Sequence, residues 1–223
     1  MQPSHQSAAL IVFGKNPVPG RVKTRLAKEV GDVSAALLYR SFLLDSLEVF
    51  GNLDLDLWLY LAPSETDIDL EISSRVARFE TQSGEGLGQR MSNAFKDMFA
   101  RGYQRVGIVG SDHPTLPVRI LRRGFADLSC GHVVLGPSDD GGYYFLAINR
   151  YQPNLFKGIR YGRHDVLEAT LQRAESLGLR PTILDYWYDV DTAEDLERLT
   201  LELQSETTIC RHTRATMKHL GIL

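Results

Sequence analysis

The sequence predicts an α/β fold: three layers, α/β/α, around a mostly parallel central sheet. Three observations carry that expectation. Predicted strands alternate with predicted helices along the chain. The first strand, Ala8–Phe13, is wholly apolar, as a strand covered on both faces must be. Loops rich in glycine and charge follow the strands that end at Phe13, Gly110 and Leu135. Parallel strands present their carboxyl ends along one edge, where open α/β sheets bind ligands. Three stretches remote in sequence are therefore expected to line one crevice.

The elements follow in order. Ala8–Phe13 breaks into a loop with two prolines and two glycines, Gly14 to Arg25. Val33–Phe50 places Ala36, Leu37, Phe42, Leu43, Leu44 and Leu47 at helical spacing before Gly51, which reads as an amphipathic helix and its stop. Leu53–Ala62 alternates leucine with Asp54, Asp56, Trp58 and Tyr60, the period of a strand. Glu65–Ser74 stays open between loop and short helix, and Val76–Glu80 is a candidate short strand. The glycine-rich turn Thr81–Gly88 leads into a helix over Leu87–Ala100, whose Leu87, Met91, Phe95 and Met98 read as core. Arg105–Gly110 is a strand, Pro117–Leu128 a helix, and His132–Leu135 and Tyr143–Ile148 two further strands. Asn149–Gly162 is irregular. Asp165–Leu177 is a helix with Gly178 as its C-cap, and Thr182–Tyr186 a late strand. Asp191 with Glu194 is expected to open the next helix in a capping box, and 204–223 is expected to be a helical tail packed on the body.

No repeat, linker or low-complexity segment interrupts the chain, so a single domain over 1–223 is expected. A domain of 223 residues can bury roughly 70% of its unfolded surface, enough for a core without disulfides or metals. Hydrophobic residues at 43% and charged residues at 24% are ordinary for a soluble globular protein. A net charge of −3 argues against nucleic acid or a membrane surface as partner. The two cysteines, Cys130 and Cys210, have no metal-ligand spacing and read as buried or incidental thiols. The polar first seven residues and the lack of a long apolar run make the cytoplasm the default location.

Against this mildly acidic background the first loop is basic. It carries Lys15, Arg21, Lys23 and Arg25, and no acidic residue precedes Glu29. Cations after a buried strand, joined by backbone N–H groups of a Pro/Gly turn, suit a polyanion such as a chain of phosphates. Asp112 lies just past a second strand between Gly110 and Pro114. It could hold a divalent cation, since magnesium needs only one or two protein carboxylates alongside phosphate oxygens and water; a turn or cap role is the plain alternative. Asp189 and Asp191 are candidates for a second metal contact, with Asp191 equally suited to cap its helix. Asp139 and Asp140 precede Gly141-Gly142 and could shape an acceptor pocket, touch metal, or make a hairpin turn. Gln82 and the Gly84–Gly88 turn could face a base or ribose, and Arg90 a phosphate. That turn is not a dinucleotide fingerprint, and Gly20 through Arg25 is not a P-loop.

Together, FGKNPVPGRVKTRLA, GEGLGQRM, GSDHP, GPSDDGGYY and WYDVDTAEDL resemble the bacterial DUF2064 family of GT-A-fold (nucleotide-diphospho-sugar transferase-like) transferases. More distantly the chain is similar to 2-phospholactate and molybdenum-cofactor guanylyltransferases. The resemblance implies a nucleotide, either a nucleoside triphosphate or a nucleotide-sugar, held by Phe13, Gly14, Lys15, Gly20, Arg21, Lys23, Gln82, Gly88, Arg90 and Ser111. It implies Mg2+ or Mn2+ at Asp112 with Asp191 as second ligand, and catalytic roles for Lys23, Arg25 and Asp112. A small-molecule acceptor would meet Asp139, Asp140, Gly141, Gly142 and Tyr143. Two departures, His113 where the family pattern has Cys and Tyr161-Gly162-Arg163 in place of Trp-Ser-Thr, bear on the acceptor. Nucleotidyl and glycosyl transfer both fit, and a nucleotide-binding sensor or partner subunit without turnover is the reading from another class. Oligomeric state stays open, a homodimer being one option.

Overall fold

A computed structural model describes residues 7–63, 68–128 and 132–223. Cys130 and the first part of the ambiguous Glu65–Ser74 stretch lie outside the described residues. The strands are β1 (Ala8–Gly14), β2 (Asp56–Leu61), β3 (Phe79–Thr81), β4 (Arg105–Gly110), β5 (Val133–Pro137), β6 (Tyr143–Ile148) and β7 (Pro181–Ile183). They form one sheet in the order β3-β2-β1-β4-β6-β5-β7. Only β6 runs against its neighbours; every other pairing is parallel. The carboxyl ends of β1, β2, β3, β4, β5 and β7 therefore share one edge.

The helices are α1 (Ala27–Val30), α2 (Asp32–Phe50), α3 (Leu70–Ser74), α4 (Leu87–Ala100), α5 (Val118–Asp127), α6 (Val166–Ser176), α7 (Ala193–Ser205) and α8 (Arg211–His219). A short 3-10 helix spans Pro153–Phe156. Period two in β1 divides its side chains between two cores. Leu10 and Val12 pack with Leu43, Leu44 and Leu47 of α2 and Ile120, Leu121 and Phe125 of α5. Ala9, Ile11 and Phe13 pack with Met91, Phe95 and Met98 of α4 and Ala174 of α6. Two helical layers thus cover the sheet, which is the fold class expected from the sequence.

Three expectations are corrected at element ends. β2 begins at Asp56 rather than Leu53, because its ladder with β1 starts at the Ala9–Asp56 pair. Its polar positions do not face water either: Asp56 is buried and accepts a hydrogen bond from Tyr103 Oη at 2.6 Å. β3 runs Phe79–Thr81 rather than Val76–Glu80, since only those residues pair with Leu59–Leu61. β7 runs Pro181–Ile183 instead of Thr182–Tyr186, since only those residues pair with Val133–Leu135 of β5.

Helix α3 shows how the segment after β2 is held. Asp69 caps it, accepting from the Glu71 and Ile72 N–H groups at 3.0 and 3.1 Å, and takes Arg40 Nε of α2 at 2.7 Å. Burial would raise the Asp69 pKa, but Arg40 and the capping N–H groups outweigh it and hold the carboxyl below its usual range. A depressed folded-state pKa contributes stability above the unfolded-chain value of about 4, and that contribution fades as pH falls through the folded value. Asp69→Ala is expected to cost about 1–2 kcal/mol near neutrality, the size of a lost N-cap. The gap in urea midpoint between variant and wild type should narrow as the pH is lowered from 6 through the range in which Asp69 takes up its proton.

Of the 204–223 tail, Arg211–His219 is the further helix. Helix α8 packs on α2, and Asp45 of α2 accepts from the His212 and Thr213 N–H groups at 3.0 and 2.8 Å, capping α8 across the interface. No helix among the described residues is long and apolar enough to cross a membrane.

Candidate active site

Along the shared strand edge lies a cavity of about 620 Å3. β1 delivers Phe13, Gly14 and Lys15 to its wall, β4 delivers Gly110, Ser111 and Asp112, and the segment after β7 delivers Asp189 and Asp191. Gln82, Arg90, Asp140 and Tyr143 complete the sequence-predicted part of the lining.

At its centre is Lys23. The backbone there is left-handed, φ 47°, a conformation that costs a non-glycine residue about 1–3 kcal/mol and is kept where surrounding contacts enforce it. The side chain makes two ionic contacts. Lys23 Nζ lies 2.6 Å from Asp112 Oδ1 and 2.7 Å from Asp191 Oδ1, with its side chain only 3% exposed. Arg25 holds the other oxygen of Asp191 from the solvent side. Burial alone would lower the Lys23 pKa; the two carboxylates more than reverse this, so the ammonium is fixed in its charged form. Burial would likewise raise Asp191, yet Lys23 and Arg25 hold it below the usual carboxylate range.

The availability of Asp191 depends on a correction. Helix α7 is capped not by Asp191 with Glu194 but one residue later, by Thr192 with Asp195. The Thr192 side chain accepts from Asp195 N at 3.3 Å, and Asp195 Oδ2 receives Thr192 N at 2.8 Å. The box uses a hydroxyl at the cap and a carboxylate three residues on, which releases the Asp191 carboxylate to face Lys23.

Around this cluster sit groups that the sequence reading did not single out. Tyr39 of α2 is buried; its Oη accepts from the Lys15 N–H at 2.7 Å and meets Ser111 Oγ at 2.8 Å, tying the loops after β1 and β4 together. Burial pushes its pKa up to about 12. His113, given no role from sequence, is buried with Nδ1 3.0 Å from both the Tyr188 carbonyl and an Asp189 oxygen. Two acceptors at one nitrogen place the proton on Nδ1. Burial would lower the His113 pKa, but Asp189 outweighs it and the net shift is upward. Asp189 Oδ2 lies 2.9 Å from Ser138 Oγ, whose single proton is shared with Asp140 Oδ1 at 2.6 Å.

Gln82 is buried, and its Nε2 donates to the carbonyls of Tyr60 at 2.8 Å and Gly14 at 3.2 Å. Those bonds fix the amide's orientation and leave Oε1 as its acceptor. Asp140 works as a turn former: its Oδ1 accepts from Gly142 N at 2.9 Å and Ser138 Oγ at 2.6 Å, closing the β5–β6 hairpin while the residue still lines the cavity. Tyr143 is held beside Tyr161, with burial raising its pKa well above the usual phenol value.

Not every predicted residue reaches the cavity. Gly20 and Arg21 are exposed on the outer turn of the basic loop. Gly88 packs against Tyr161, whose ring a Cβ there would meet at 2.4 Å. Asp139 pairs with Arg198 at 2.9 Å on the surface. Gly141 and Gly142 shape the hairpin behind Asp140, and His164 is exposed with its backbone against Gly141. Among the described residues no three His, Cys, Asp or Glu side chains converge as a metal cage. Asp112 nevertheless suits a hard divalent ion, which needs only one or two carboxylates when phosphates and water complete its shell. Its side chain is 39% exposed and only one of its oxygens is held by Lys23.

A protein from Desulfovibrio desulfuricans G20, provisionally assigned as a nucleotide-diphospho-sugar transferase, is 32% identical, with a TM-score of 0.89 over 96% of each chain. The 4-diphosphocytidyl-2C-methyl-D-erythritol synthase of Anaerococcus prevotii DSM 20548 is 14% identical, with a TM-score of 0.60 over 90% of this chain and all of that one. The inositol-1-phosphate CTP transferase of T. maritima is 16% identical, with a TM-score of 0.51 over 92% of this chain and 97% of that one. The last two likenesses show the fold. No protein with a curated description matches the chain. The model of a family described as an uncharacterized protein conserved in bacteria matches residues 44–163, and the chain is a member of that family, DUF2064.

Proposed function

We propose that the protein is a metal-dependent transferase that binds a nucleoside triphosphate or nucleotide-sugar at the sheet edge and passes a nucleotidyl or glycosyl group to a small acceptor. The observation that carries this reading is the convergence of Lys23, Asp112 and Asp191 at the wall of the cavity. The name given to the Desulfovibrio relative points the same way.

In this reading the phosphates lie along the β1 loop, where Lys23, Lys15 and Arg25 meet their charge. Asp112, with Asp191, would hold Mg2+ or Mn2+, which when bound supplies Lewis-acid stabilisation of phosphate oxygens. The chain's own part is positioning and electrostatics, the main needs of transfer at or next to phosphorus. Gln82 Oε1 accepts from a donor on the base, and Arg90 covers the nucleotide from α4. The acceptor enters beside Asp140 and Tyr143, opposite the cationic loop, and its nucleophilic oxygen replaces the departing phosphate-bearing group. Tyr39 keeps the two ligand-binding loops in register.

Calorimetry with GTP, CTP, UTP, UDP-glucose and GDP-mannose, each with and without magnesium, tests the reading. Magnesium-dependent binding of at least one nucleotide is expected, and competition by pyrophosphate places it at the basic loop. Absence of binding by all five would overturn the proposal. Preference for a triphosphate selects nucleotidyl transfer; preference for a sugar nucleotide selects glycosyl transfer.

A further inference from the structure

We propose that Lys23 is a displaceable internal counter-ion: its ammonium excludes divalent metal from the Asp112–Asp191 pair until a phosphate chain draws it away. This rests on the reading above, in which Asp112 holds the nucleotide's metal. Lys23 Nζ sits between one oxygen of Asp112 and one of Asp191, at 2.6 and 2.7 Å, and its side chain is almost wholly shielded from water. An ammonium at those distances fills the space between the oxygens, so a second cation cannot share them.

Charge counting leads to the same conclusion. Asp112 and Asp191 are matched by Lys23 and Arg25, so the cluster is neutral as it stands. Adding a divalent ion beside Lys23 would set two further positive charges against a buried ammonium, a repulsion that solvent at the partly exposed Asp112 and Asp191 screens only in part. A di- or triphosphate changes the balance. It brings enough negative charge to accept Lys23 and the metal together, and the cavity it would fill is already lined by both Lys23 and Asp112. The lysine stem is flexible and its head a compact point charge, so the ammonium can pass from carboxylate to phosphate by rotating about its side-chain bonds. Metal and phosphate affinities are then coupled, each raising the other by the same factor.

Proton relaxation enhancement, which reports Mn2+ immobilised on protein, tests this with the full chain. Wild type alone should bind Mn2+ weakly, and inorganic pyrophosphate should produce protein-bound Mn2+. Lys23→Met should bind Mn2+ at least tenfold more tightly than wild type with no phosphate present, in the usual range of a coupling between sites. Adding Asp112→Asn to that variant should return binding to the weak level. Equal Mn2+ affinity in wild type with and without pyrophosphate, or equal affinity in wild type and Lys23→Met without it, overturns the inference and leaves the nucleotide site standing. Absence of protein-bound Mn2+ in every form, pyrophosphate included, removes the metal from the proposed function and this inference with it.

Discussion

Asp112→Asn is expected to lower turnover about a hundred- to thousandfold, the effect of losing one electrostatic contact of some 3–4 kcal/mol to the reacting group. Its thermal midpoint is expected to stay within about 2 °C of wild type, a shift of under 1 kcal/mol for a chain of this size. The substitution keeps shape and removes only charge. Lys23 retains Asp191 as its ionic partner at 2.7 Å, and the amide oxygen can still accept from the ammonium. Lys23→Ala should lose activity to a similar degree but also stability, because Asp112 and Asp191 are left facing one another without the cation between them. Thermal scans alongside turnover of whichever nucleotide binds separate the cases. An Asp112→Asn enzyme that lost stability and kept its rate would make this carboxylate a structural group and remove it from the site.

The sequence indicated which loops would share an edge more readily than how they are wired together. The apolar β1, the Gly110 turn and the alternation of strands with helices were legible because burial and periodicity leave local traces. Their consequence, one shared edge, follows from parallel topology alone. The cap of α7 was read one residue early, since Asp191/Glu194 and Thr192/Asp195 both fit the spacing and only the backbone angle at Thr192 selects between them. That single residue decides whether Asp191 serves a helix or the cavity. Tyr39 left no signal, because a tyrosine on the buried face of a helix reads as core, and its hydrogen bonds to Lys15 and Ser111 are long-range. The His113–Asp189 pair is equally non-local. Gly88 shows the opposite error: a glycine expected to face a nucleotide is needed to seat Tyr161.

Gly141→Ala is expected to be the most damaging single-atom addition near the site. Gly141 has φ +87°, and a Cβ there would lie 1.9 Å from the His164 carbonyl oxygen and 2.6 Å from its carbon. These are backbone atoms, so no side-chain rotation relieves the clash. The hairpin turn would have to lift away from the start of α6, breaking the Leu167 N–H bond to the Gly141 carbonyl at 3.0 Å. A loss of about 4 kcal/mol or more is expected, or a fall of roughly 10 °C or more in melting temperature for a chain of this size. Gly162→Ala is the control: φ is +84° and nothing lies within 4 Å of the added carbon, so only the left-handed penalty of about 1 kcal/mol applies. Urea denaturation of both variants separates conformational cost from steric cost. Equal losses would mean that the turn yields freely from His164. A large gap would show that the hairpin carrying Asp140 and Tyr143 is set by backbone contact with the neighbouring segment.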